Sequence, residues 1–190
     1  MKLQIERSIK EEDLIAACRK KKPQAQRAIY DKYAPLMLGI CKRYIKDVAE
    51  SEDVMISGFL KIFTKIDMYE GKGSFEGWMK RIMINEALGH LRANKGMYIE
   101  IDVAKATREP DYNQLASDLE AEDLMKLVSE LPEGYRTIFN LYAIEGYSHK
   151  EIGEMMGINE NTSKSQLSRA RAYLQEKLAR MEGELKTRKN

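Results

Sequence analysis

The stretch from Tyr147 to Arg171 limits this chain more than any other. Ser148 can cap a helix, and Glu151, three residues on, completes a capping box. Ile152, Met155 and Met156 then recur at helical spacing. Gly157 suits the left-handed residue that ends a helix, and Ile158 plugs the turn. Asn159 can cap a second helix by accepting an orphan backbone N–H. On that second helix Asn161, Lys164, Ser165, Ser168 and Arg169 share one side, while Leu167, Ala170 and Leu174 share the other. A short capped helix, a glycine turn and a second helix with a polar, basic front form a helix-turn-helix. Such a helix fits the DNA major groove, where Lys and Arg reach phosphates or guanine acceptors and Asn and Gln read adenine. An ordinary helical hairpin with a solvated face has the same spacing, so the motif alone does not decide the matter.

Composition around the motif favours an all-α protein. Four prolines and twelve glycines in 190 residues leave long stretches free to be helical, and 43% apolar residues can fill one or two small cores. The net charge of +2 does not argue for nucleic acid, so only the distribution of charge can. Cys18 and Cys41 lie far apart on apolar helical faces and read as buried thiols rather than a disulfide or metal ligands. No apolar N-terminal run precedes a cleavage site and no segment approaches a membrane span. The expectation is a cytoplasmic chain without membrane insertion.

Near the N-terminus Ser8 and Glu11 stand at capping-box spacing ahead of Leu14, Ile15 and Cys18. The run Arg19-Lys20-Lys21-Lys22 ends that helix, where cations suit the negative helix terminus. Pro23 fits the first turn of the next helix, with Ala25, Ala28, Ile29 and Tyr33 on its inner face. Pro35 is expected to break or kink the path before a broadly apolar helix through Leu36, Leu38, Ile40, Cys41, Tyr44 and Ile45. The segment from Asp47 to Ile66 begins with Asp47, Glu50, Glu52 and Asp53, which the helix dipole explains by itself, and continues apolar. After the loop Asp67 to Gly73, Ser74 caps a helix in which Phe75, Trp78, Ile82 and Leu88 can face a core. Lys80, Arg81, Asn85, Arg92 and Lys95 supply donors. An aromatic beside basic residues and a glycine loop is one way to hold single-stranded nucleic acid, and a core tryptophan is the other reading of Trp78.

Between Ile99 and Asp123 stand eight acids and two bases, with Pro110 and no sustained periodicity, which is the pattern of a linker. Periodicity returns with Leu119, Leu124, Leu127, Val128 and Leu131. Pro132 separates these from Tyr135, Ile138, Phe139 and Tyr142, and Gly146 closes that helix. The expected organisation is two small helical domains, residues 8–95 and 119–182, joined by a flexible acidic linker over 96–118 and followed by a basic tail over 183–190. The two histidines, His90 and His149, fall in different halves. The chain has no Cys/His cluster of metal spacing, no phosphate-binding glycine loop ahead of a lysine and no nucleophile elbow, so no cofactor, metal or enzyme activity is expected.

Three collinear stretches carry a family resemblance. Ala49 to Phe63 resembles the core-polymerase-binding helix of bacterial RNA polymerase sigma factors. Gly73 to Ala87, followed by Leu91-Arg92, is similar to their downstream-promoter region, and Leu131 to Arg136 resembles the opening of their fourth conserved region, which the helix-turn-helix ends. The match covers nearly the whole chain and is to the two-domain extracytoplasmic-function (ECF) group of the sigma-70 family.

The resemblance implies core RNA polymerase and promoter DNA as partners. Glu52, Asp53 and Ser57 would dock on the polymerase. The loop Glu70, Gly71, Lys72, Gly73 and Ser74 would capture a flipped base of the −10 element, with backbone contacts from Lys80, Arg81, Asn85 and Arg92 offsetting the flip. Trp78 would then support the fold. Lys164, Ser165, Ser168 and Arg169 would lie near −35 base edges, and Asn161 and Arg171 near phosphates. The linker would thread through the polymerase near the RNA path, and an anti-sigma factor often holds such proteins inactive.

The chain departs from the family pattern at Ile56-Ser57, where a polar Gln-Glu pair is common. It departs again at Ser163, where an apolar residue is common and a buried hydroxyl needs a partner, and at Gly153, where alanine is frequent. The glycine costs about 1 kcal/mol of helix propensity. Two alternatives stand beside this reading: a dimeric helix-turn-helix regulator on palindromic half-sites, and an all-helical enzyme acting on nucleic acid.

Overall fold

The computed structural model describes the backbone of residues 10–95 and 121–187, and side chains over 10–93 and 123–181. The expected linker over 96–118 lies outside the described residues, as does Ser8. All regular structure among the described residues is helical. The chain divides into two compact units between His90 and Leu91.

The first unit is built from α1 (Glu11–Arg19), α2 (Pro23–Tyr44), α3 (Val48–Thr64), a single 3-10 turn (Ile66–Met68) and α4 (Phe75–Lys95), whose last turn runs past the dividing line. Met37, Ile40, Cys41 and Tyr44 from α2, Val54, Phe59 and Ile62 from α3, and Phe75, Met79 and Met83 from α4 form its core. Neither cysteine is in a disulfide, and burial pushes the Cys41 thiol up to about 12. Helices α3 and α4 approach closely at Gly58, where a Cβ would overlap the Met83 sulfur. Asp47 caps α3 by accepting from the Glu50 N–H at 2.9 Å.

Two expectations for this unit are corrected. Helix α1 starts at Glu11 with Lys10 as an N-cap that offers no side-chain bond. Glu11 turns instead to α2, accepting from the Tyr33 hydroxyl and from Lys32 Nζ at 3.1 Å. The second concerns Pro35, which does not break α2: the helix runs from Pro23 to Tyr44 with Pro35 inside it. Pro35 and Asp31 both face solvent, so water can serve the Asp31 carbonyl that loses its N–H partner.

The second unit comprises α5 (Ala121–Glu130), α6 (Glu133–Phe139), a π-helical turn (Asn140–Ile144), α7 (His149–Met156) and α8 (Glu160–Thr187). Helix α8 therefore extends into the stretch expected as a tail. Leu127, Val128, Leu131, Ile138, Phe139, Leu141, Ile152, Leu167, Ala170 and Leu174 fill the core. Arg136 is buried among them; its Nη1 donates to the Leu131 carbonyl at 3.2 Å, and burial lowers its pKa. The sequence predicts one continuous helix up to Gly146, but the Glu145 N–H reaches back to the Asn140 carbonyl at 3.0 Å. This wide turn shifts the helix register, so Leu141 stays in the core while Tyr142 turns toward α7.

Candidate nucleic-acid interface

The helix-turn-helix comprises α7, a turn at Gly157-Ile158 and the first half of α8. Each end is fixed by the residue expected to fix it. At the start of α7 the Ser148 N–H donates to Glu151 Oε2 at 2.8 Å, and the Glu151 N–H donates to Ser148 Oγ at 3.3 Å, a reciprocal capping box. Gly157 takes φ 69°, and the Ile158 N–H donates to the Gly153 carbonyl at 3.0 Å, which closes the helix in a Schellman motif. Asn159 Oδ1 accepts from the Thr162 N–H at 2.7 Å at the start of α8.

The two departures in this motif have physical explanations. A Cβ on Gly153 would stand 2.7 Å from the Ile158 carbonyl oxygen, so the close turn excludes alanine there. Ser163 is 0% exposed, and its Oγ is hydrogen-bonded to His149 Nδ1 at 2.9 Å. The hydroxyl thus has its partner, and the bond joins the two helices. The His149 ring stacks on Tyr142 with centroids 4.5 Å apart. Sequence reasoning gave His149 no role, because only the fold brings positions 149 and 163 together.

On α8, Ser163, Leu167, Ala170 and Leu174 are buried. Asn161, Lys164 and Ser165 are exposed on the opposite side, and Ser168 and Arg169 half-exposed beside them. The positions 161, 164, 165 and 168 follow the spacing of a single helix face. Lys164 pairs with Glu160 at 2.7 Å, a contact weak enough at the surface to exchange for a phosphate. Arg171 is half-buried, with its guanidinium 5.9 Å from the centre of the Tyr142 ring.

In the first unit the loop Glu70, Gly71, Lys72, Gly73, Ser74 is exposed throughout. Gly71 and Gly73 take φ 76° and 80°, a backbone that side chains disfavour. Tyr69 Oη donates to the Gly73 carbonyl at 2.8 Å, Lys72 pairs with Glu70 at 2.6 Å, and Ser74 Oγ accepts from the Gly77 N–H at 3.0 Å at the start of α4. Behind the loop Phe75 is buried between Tyr33, Tyr69 and Trp78, with centroids 5.2–6.2 Å away. Trp78 is half-buried, so the cluster supports the loop and leaves one ring at the surface. Arg81, Asn85 and Arg92 are exposed on the side of α4 that carries Trp78, whereas Lys80 is displaced around the helix and paired with Glu76 at 2.7 Å.

On α3, Glu52, Asp53 and Ser57 are exposed. Val48, Ile56 and Leu60 are 54%, 48% and 64% exposed on the same outward side. The apolar residues of α3 thus form two stripes, one in the core and one in water. The outward stripe was not separable from the inward one by composition alone.

Against known proteins, the family profile for sigma-70 region 2 matches residues 29–96, and that for sigma-70 region 4 matches residues 121–174. The chain belongs to the sigma-70 family. Sigma-H factor of Pseudomonas aeruginosa is 29% identical over 77% of this chain and 82% of its own. The ECF sigma factor SigW of Bacillus subtilis is 28% identical over 79% and 87%. Among solved structures, the sigma factor RpoE of Bartonella quintana, in complex with the anti-sigma factor NepR, is 23% identical with a TM-score of 0.49, covering 80% of this chain and 96% of that one. The protein is an ECF-type sigma factor, which directs promoter-specific transcription initiation with core RNA polymerase. Nothing observed favours the dimeric-regulator alternative. Among the described residues no helix of this sigma factor is long and apolar enough to cross a membrane.

Proposed function

We propose that this sigma factor divides promoter initiation between residues 8–95, acting as region 2, and residues 119–182, acting as region 4. In this reading the outward side of α3 docks on core polymerase through Glu52, Asp53 and Ser57, with Ile56 as its apolar contact. The loop Glu70–Ser74 takes a flipped −10 base, and Lys80, Arg81, Asn85 and Arg92 hold the strand. Lys164, Ser165, Ser168 and Arg169 read the −35 duplex in the major groove, with Asn161 and Arg171 on phosphates. The observation that carries the reading is the front of α8, a polar helix face with Asn161, Lys164 and Ser165 free of the core. That helix is held by a capped turn and a partly buried hydrogen bond to α7. The protein works in the cytoplasm as a polymerase subunit and performs no catalytic chemistry of its own. An anti-sigma factor that covered α3 would compete with the polymerase for the same apolar stripe.

The test is gel filtration of the protein with bacterial core polymerase, followed by transcription in vitro. The wild-type chain should co-elute with core and initiate at defined promoters. Asp53→Ala should weaken co-elution and spare −35 recognition, and Arg169→Ala should do the reverse. Equal loss of core binding by both variants would sink this division of labour.

A further inference from the structure

We propose that the turn Arg19–Lys22, between α1 and α2, binds the phosphate backbone of single-stranded promoter DNA and continues the surface of the loop Glu70–Ser74. The inference rests on the assignment of that loop to the −10 strand.

Helix-end chemistry accounts for only part of this basic run. Arg19 and Lys20 stand at the negative end of α1, where cations are favourable. The other two lysines oppose their local structure. Lys21 is the left-handed residue of a Schellman motif: its N–H donates to the Cys18 carbonyl at 2.8 Å, and the Lys22 N–H donates to the Ala17 carbonyl at 3.2 Å. Its φ of 53° is the only positive value at a non-glycine residue among those described. Glycine takes that conformation freely, and an L side chain does not. Lys22 is the N-cap of α2 and makes no side-chain cap, where Ser, Asp or Asn would bond an orphan N–H. It also puts a cation at the positive end of a 22-residue helix whose first turn holds no acid. Lys20, Lys21 and Lys22 enter no ion pair among the described residues. Two adjacent residues that break local rules without compensation inside the fold point to a ligand outside it.

Position and surroundings give the ligand's class. Arg19 Nη2 donates to the Tyr69 carbonyl at 2.5 Å, and the Tyr69 hydroxyl donates to the Gly73 carbonyl, so the basic turn and the glycine loop are joined through one residue. Between α1 and the end of α3 lies a cleft of about 380 Å³, lined by Arg19 and Lys21 and by Leu60 and the half-exposed Phe63; Asp67 is the one acid in its lining. Cations beside an aromatic surface match a polyanion with stackable bases.

The experiment uses holoenzyme assembled with core polymerase and a labelled single-stranded oligonucleotide spanning the melted region of a promoter on which that holoenzyme initiates. Binding is measured from low to moderate salt for wild type, Lys21→Gly, Lys22→Ser, their combination and Lys72→Ala in the loop. Both single lysine variants relieve a local conflict, so their melting temperatures should equal or exceed wild type and co-elution with core should be unchanged. Their affinity for the oligonucleotide should fall several-fold, and the double variant should reduce the salt slope by roughly 1.4, about 0.7 per lost contact to a single strand. Loss of binding in Lys72→Ala with wild-type behaviour in the lysine variants would overturn this proposal and leave the loop assignment standing. Silence of all the variants would remove the loop assignment and the proposal together. Weaker core binding by the lysine variants, with the oligonucleotide unaffected, would mean that the turn meets an acidic protein surface, and the proposal would fall.

Discussion

At Gly153 a methyl group would stand 2.7 Å from the Ile158 carbonyl oxygen, in a turn whose geometry sets how α8 leaves α7. Gly153→Ala is therefore expected to destabilise the second unit by about 1–3 kcal/mol through overpacking, against the gain of about 1 kcal/mol that helix propensity alone predicts. Urea midpoints of the two proteins decide the sign. Glu11 makes a second residue-scale prediction. The Tyr33 hydroxyl, and next to it Lys32, hold its carboxyl below the ordinary 4.5. A carboxylate lowered in the folded state contributes stability that is present above about pH 4.5 and lost as pH falls through its folded pKa. The stability advantage of wild type over Glu11→Gln should therefore be full near neutrality and shrink below pH 4.5 in thermal melts. Much at this scale was legible beforehand: Ser148, Glu151, Gly157 and Asn159 each take the capping role their type and spacing require. The His149–Ser163 bond was not, because a contact across fourteen positions depends on packing and leaves no periodic trace.

Helix α2 illustrates what sequence rules give at the level of elements. Proline removes one hydrogen bond and crowds the preceding turn, which predicts a break; the helix continues because the lost bond lies on the solvent side. Restoring the N–H should then be favourable. Pro35→Ala is expected to raise the stability of the first unit by roughly 2–2.5 kcal/mol, the helix penalty of about 3 kcal/mol less the roughly 0.4–1 kcal/mol that proline saves by stiffening the unfolded chain. Differential scanning calorimetry would show the higher transition, and a lower one would mean that Pro35 fits a bend the helix needs. Helix α3 shows a different limit. Its apolar residues recur so densely that two opposite faces both qualify as inward, and only neighbours decide that Phe59 is covered and Leu60 is not. The π turn after α6 was illegible for a related reason: it changes one hydrogen-bond partner without changing which residue types are apolar.

At the scale of the whole molecule, the order of three matched stretches said more than any single one, since independent short motifs seldom occur in family order by chance. The proposed polymerase contact at Asp53 and the proposed −35 contact at Arg169 lie in different compact units. Energetic effects of separate sites add, so the fold losses in transcription should multiply. Asp53→Ala combined with Arg169→Ala should reduce initiation by the product of the single losses, measured at limiting holoenzyme on a promoter that needs both elements. A double loss well short of the product would reveal that the two contacts act through one step.

The outward stripe of Val48, Ile56 and Leu60 bears on how the protein can be kept. Apolar surface left in water favours any association that covers it, and a second copy serves when no partner is at hand. That ridge gives copies of the free factor a surface on which to associate without opening either core. The expected outcome is self-association that rises with concentration in light scattering and is suppressed by co-production with a protein that covers α3.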